Sequence, residues 1–315
     1  MTSIAPDNFN GPPPAAGAPS YAKDFPLYWD IVFDRITTPG MGWNIGYQST
    51  FPEQLIRRLT AARMSVQMGV SARTAERYIP EETRYEAEAK LDQEMRSSCL
   101  GLIDKHAEQL EALNESARSR PALGLIIGDN GIAAARYSVK LCFDLADIGS
   151  LYQTSAVARS CLEQLAWSNA VAKLDDIDKI QNISAQSQIA QLSKVNASSG
   201  RLYGWFSRHS HWAYDAHWKS FDEIDGKVAV INRSVHYKVQ SYAALIVLSR
   251  IFCDVVCAQL ASRSSENKIR MEPGPFSDLM ATLISVVSPS RQDRATSDEI
   301  RNLADILALS ATPNA

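Results

Sequence analysis

Arg159 and Glu163 stand at i,i+4 spacing on a helical pattern whose other members, Tyr152, Ala156, Ala166 and Ala170, are mostly apolar. Side chains at that spacing meet on one helix face. Charge is costly to bury unless it is paired, so the two are expected to be partly buried together. Further along, Tyr203, Ser207, Arg208 and His211 fall in an aromatic-rich stretch. A guanidinium can hold a phosphate and an imidazole can move a hydroxyl proton. Arg159, Glu163, Arg208 and His211 converging on one cleft would therefore make a catalytic set. The alternative is a structural ion pair tying one helix to its neighbour. His209, His211, Asp215 and His217 also invite a metal reading, but only His211 and Asp215 share a helical face and no fourth ligand is evident. No metal and no cofactor are expected.

The second stretch with chemical meaning is Thr60 to Ile79. Gly69 would supply a positive φ in a turn between two helices. Met64 and Met68 before it, and Val70, Ala75 and Ile79 after it, would lock the helices together. Ser65 is the small residue at their crossing, and Ser71 would N-cap the second helix. That helix would present Arg73, Thr74, Glu76 and Arg77 outward, residue types that read base edges and phosphates. Residues 51–79 carry five arginines against Glu53 and Glu76, a local excess of three positive charges. Gly69-Val70-Ser71 followed by Thr74 and Arg77-Tyr78 resembles the helix-turn-helix of bacterial DNA-binding regulators. The nucleic-acid contacts expected are Arg73, Thr74 and Arg77; the competing reading is a helix kinked at Gly69.

Arg159 to Glu163 followed by Tyr203, Ser207 and His211 resembles a family of uncharacterised helical bacterial proteins similar to the HEPN superfamily, over about residues 130–260. That resemblance implies a helical bundle of the kind found in toxins and other defence proteins. Its catalytic members are metal-independent ribonucleases with a closely spaced Arg and His. Here Arg208 and His211 stand closer than that pattern, and Arg201 and His209 farther apart.

The elements that must position these residues are helical almost throughout. Tyr85, Asp92, Cys99, His106 and Leu113 recur every seven residues, as one face of a long helix would. Ile132, Ala135, Val139, Cys142 and Ala146 form the next stripe, with Gly124, Gly128 and Gly131 read as turn residues before it. Residues 175–195 continue the helical pattern until Asn196 to Gly200 breaks it. Val235 to Leu260 reads as a long buried helix, its run from Tyr242 to Ala261 interrupted by Arg250 and Asp254 and so poorly suited to a membrane. Helices at 276–287 and 297–309 follow, and only Val228 to Ile231 looks strand-like. Phe25 to Tyr47 suggests a short helix and a loop.

With 315 residues, 45% hydrophobic and 21% charged, the chain is long and apolar enough to bury a sizeable core. Lys+Arg 32 against Asp+Glu 35 leaves a net charge of -3, so any hold on a polyanion must be local. The five cysteines are odd in number and mostly at apolar helical positions, as reduced core residues would be. No secretory signal opens the chain, and a cytoplasmic location is expected. The expected architecture is all-α. It comprises a disordered tail (1–25), a small N-terminal helical unit (26–80) with the helix-turn-helix-like segment at 60–79, and a helical bundle (85–310). The expected function is that of a nucleic-acid-associated regulator or defence-type protein, with a HEPN-like ribonuclease or a non-catalytic interaction protein as the alternatives. Partners would be duplex DNA or RNA, a second copy of the chain, and no membrane.

Overall fold

A computed structural model describes residues 35–37, 44–46, 57, 58, 61, 62, 65 and 69–77. Beyond these it describes 84–116, 122–211, 213–218, 221–224, 227–230, 235–263, 274–287 and 294–310. The expected tail at 1–25, and Met64, Met68 and Ile79, lie outside the described residues. The chain divides into two compact units, Met1–Glu86 and Ala87–Ala315. In the first, strands β1 (Arg35–Thr37) and β2 (Asn44–Gly46) pair antiparallel where the sequence suggests a helix and a loop. The helix α1 (Ala72–Glu76) follows later in the same unit.

The second unit is all-α apart from one short antiparallel pair, β3 (Phe221–Ile224) with β4 (Lys227–Val230); β4 is the segment that reads as a strand. From Ala87 onward this unit takes in most of α2 (Arg84–Ser116), which buries Met95, Cys99, Ile103, Ala107 and Leu110, the i, i+4 stripe that faces a core. α3 (Leu123–Asp147) and α4 (Leu151–Val171) form an antiparallel hairpin, closed by Gly149 at φ 68. Here the reading of the glycines is corrected. Gly124, Gly128 and Gly131 lie inside α3, not in a turn before it. A Cβ at Gly124 would stand 1.9 Å from the Leu174 carbonyl oxygen, and one at Gly131 would stand 2.1 Å from Ser168 Oγ. These glycines let two helix backbones approach more closely than any side chain allows, a need stronger than the usual cost of glycine within a helix.

After α4 the expected continuous helix is broken into α5 (Ile177–Gln181), a 3-10 turn (Gln186–Gln188) and α6 (Ile189–Leu192). Asp176 caps α5, its carboxylate accepting from the Asp178 N–H at 3.0 Å. The side chains of Asn182 and Ser187 bond to nearby backbone carbonyls, and such local bonds compete with helix propagation. α7 (Ser199–Ser210) and α8 (Tyr214–Trp218) come next. α9 (Val235–Arg263) is then buried on nearly every side from Gln240 to Val256. By length and composition α9 could cross a membrane, but 89% of its most apolar window is buried inside the protein. α10 (Gly274–Val287) and α11 (Arg294–Leu309) complete the unit, contributing Phe276, Met280, Ile300 and Leu303 to the core. All five cysteines are free and buried.

Candidate functional site

In the first unit, Arg57, Arg58, Ala61, Ala62 and Ser65 have helical backbone. The chain then turns at Gly69, whose φ is 63, a region costly to residues with a Cβ. The Val70 N–H returns to the Ser65 carbonyl at 3.1 Å, a bond that satisfies one of the carbonyls orphaned at a helix C-terminus. Ser71 caps α1, its Oγ accepting from the Thr74 N–H at 3.1 Å. Ala61 and Ala75 are buried, and Arg57 donates to the Glu76 carbonyl oxygen at 3.2 Å, tying the two helical stretches together. Arg58, Arg73 and Arg77 are exposed. Thr74 and Glu76 depart from the expected outward set. Thr74 is half-buried with its hydroxyl 2.8 Å from Ser71 Oγ, and Glu76 faces Arg57.

In the bundle, Arg159 and Glu163 project from α4 toward α7. Arg159 Nη2 lies 3.2 Å from Glu163 Oε1, with the two side chains 20% and 25% exposed, so the pair is partly buried as its spacing predicts. The stripe that carries them borders the core face rather than forming it, with Ala166 buried in the core and Tyr152 packed against it. Leu151, Ala158, Cys161, Leu162 and Leu165 hold the core, while Ala156 is exposed. Leucines bury more apolar area than alanines and so decide which face turns inward. Tyr203, on α7, is the hub. Its hydroxyl accepts from Arg159 Nε at 3.0 Å and Nη2 at 2.9 Å, and donates to Glu163 Oε1 at 2.8 Å. Burial and the bond to Glu163 both raise the Tyr203 phenol above its ordinary range, against the opposing pull of Arg159. Tyr203 is thus a protonated donor rather than a phenolate. On the solvent side, Arg159 Nη1 contacts His211 Nε2.

Of the four expected catalytic residues, the structure brings together Arg159, Glu163 and His211. Arg208 is exposed and lies elsewhere, because five residues from Tyr203 on a helix is about 140° round its axis. The histidines also separate. His209 is buried with Nδ1 2.9 Å from the Trp205 carbonyl oxygen. His217 is buried and stacks on Tyr152 at 4.5 Å between ring centroids. Burial lowers the His217 imidazole from its ordinary value, partly opposed by a hydrogen bond to the backbone of His209. Tyr152 donates to the Ala216 carbonyl oxygen at 3.0 Å and stands edge-on to Tyr237. Nothing in the local spacing marks this aromatic and imidazole nest, whose members come from four separate elements. The Asp215 side chain lies outside the described residues, and among the described residues no three His, Cys, Asp or Glu side chains gather as metal ligands would. Burial pushes the Cys99 and Cys142 thiols up to about 12 and Cys257 to about 11, so none of these offers a thiolate. Compared with protein-family models, with curated proteins and with solved structures, the chain gives no match.

Proposed function

We propose that the protein is a cytoplasmic, nucleic-acid-associated regulator or defence-type protein that contacts duplex DNA through residues 60–79 and senses or interacts through its helical bundle. The turn carries this reading. Gly69 in the left-handed region, followed by the Ser71 cap, leads the chain into a helix with Arg73 and Arg77 exposed. The two arginines share a face through i,i+4 spacing, as phosphate-contacting residues would. Changing both to Ala is expected to weaken duplex binding and to lower the slope of log affinity against log salt by about two, since each lost phosphate contact removes about 0.9. Fluorescence anisotropy with a labelled duplex measures this. A wild-type protein that fails to bind duplex at low salt sinks the reading.

A second reading, HEPN-like metal-independent ribonuclease chemistry, is favoured by the contact between Arg159 Nη1 and His211 Nε2. A guanidinium has donors only, so Nε2 accepts and the ring proton sits on Nδ1. A phosphate taking over Nη1 would free Nε2 to receive a 2′-hydroxyl proton, while Tyr203 and Glu163 hold the guanidinium in place. His211→Ala is then expected to lower cleavage of unstructured RNA by about a hundredfold or more. Its melting temperature should be unchanged, because His211 is exposed. Intact RNA after incubation with the wild-type protein excludes this chemistry.

A further inference from the structure

α7 has an exposed stripe made of Arg201, Gly204 and Arg208, continued past its end by His211. The helix contains no Asp or Glu at all, so nothing on it offsets the two arginines. Glu163, the acidic side chain on the neighbouring helix, is engaged by Arg159 and Tyr203. A Cβ at Gly204 would meet nothing within 4 Å, which leaves an open backbone floor between Arg201 and Arg208. Seven residues of helix separate those two cations by about 10.5 Å along the axis.

The chain then folds α8 against the end of α7. His217 turns inward onto Tyr152, which also faces His209. Tyr214 and Trp218, about 60° and about 100° from it round the same short helix, reach solvent and are 73% and 62% exposed. Their rings stack on each other at 5.7 Å with 21° between planes. Two large, mostly exposed aromatics stand close in sequence to a helix face whose own charges, among the described residues, are basic. A protein partner's apolar patch would match the rings but not the arginines. Alternating phosphates and bases match both: arginines take phosphates through their planar guanidinium forks, and any base can stack on an exposed ring.

We infer that the outer face of α7 and α8 is a docking surface for single-stranded nucleic acid, with Arg201 and Arg208 holding the backbone and Tyr214 and Trp218 stacking bases. This surface stands on different residues from the proposed duplex contact and does not depend on it. The test is anisotropy titration of labelled single-stranded oligothymidine, single-stranded oligouridine and a duplex against the full chain. The wild type is expected to bind at least one single strand at low salt. Tyr214→Ala with Trp218→Ala should weaken that binding about tenfold or more and leave the salt slope unchanged. Arg201→Ala with Arg208→Ala should lower the slope by about 1.4, at 0.7 per single-strand contact. Arg73→Ala with Arg77→Ala should leave single-strand affinity as it was, whatever it does to the duplex. The oligothymidine and oligouridine arms tell a DNA strand from an RNA strand. The inference is overturned if neither single strand binds, if the α7 and α8 variants bind like wild type, or if only the Arg73 and Arg77 changes abolish single-strand binding.

Discussion

Gly124→Val is expected to lower the melting temperature of the helical bundle by about 6–12 °C. A Cβ at that position would lie 1.9 Å from the Leu174 carbonyl oxygen and 2.2 Å from that of Val171. Both obstacles are backbone atoms, one at the last residue of α4 and one in the turn just beyond it, so no rotamer change relieves the clash and the backbones must part. Overpacking a core usually costs about 1–3 kcal/mol. A backbone obstacle places this case at or beyond the upper end, and about 3 kcal/mol shifts a domain of this size by that many degrees. Gly101→Ala is the control. Gly101 is exposed on α2 with nothing within 4 Å of an added Cβ, so this change should stabilise by about 0.5–1 kcal/mol through helix propensity alone. Circular dichroism melts of both variants check the pair of expectations. An unchanged melt for Gly124→Val would show that α3 and α4 do not cross at this seam.

Asp254→Ala is expected to cost about 3–5 kcal/mol, because it removes the carboxylate that compensates the buried Arg250 guanidinium. Arg250 Nε donates to Asp254 Oδ2 at 2.8 Å, and the two side chains are only 7% and 14% exposed. Burial raises the Asp254 carboxyl above its ordinary value, and the bonds from Arg250 and Asn196 pull it back. Asn196 Nδ2 donates to the same carboxylate oxygen at 2.7 Å, while its Oδ1 accepts from the Ser198 N–H at 2.8 Å. The carboxylate therefore also anchors the turn that leads into α7, the helix carrying Tyr203. Replacing Arg250 by Met and Asp254 by Leu together should recover much of the loss, since well-packed apolar pairs often replace buried ion pairs without penalty. Chemical denaturation of the single and double variants measures both effects. A single variant as stable as wild type would mean that water reaches Arg250.

Much of what positions the chemistry was legible from neighbouring residues. The Gly69 turn, the Ser71 cap and the Arg159 to Glu163 pair each act within about four residues, so spacing was enough to anticipate them. The buried cysteines and the core helix α9 followed from apolar composition, which reports burial without reporting neighbours. His106 was legible for the same reason. It sits on an apolar stripe, and its Nδ1 bonds to the Leu102 carbonyl oxygen at 2.7 Å.

What the sequence by itself determined is the all-α class and these local devices, because helix propensity, capping and i,i+4 contacts depend on residues a turn or less away. Tertiary structure alone decided that Tyr203 would bridge Arg159 and Glu163, that His211 and not Arg208 would join them, and that His209 and His217 would turn inward. Those outcomes depend on the register between α4 and α7 and on the rotation of each helix about its axis, and one residue of rotation moves a side chain by about 100°. The glycines of α3 show the same division. Their identity is plain in the sequence, yet whether a missing Cβ serves a turn or the close approach of two helices depends on the backbone that α4 brings alongside.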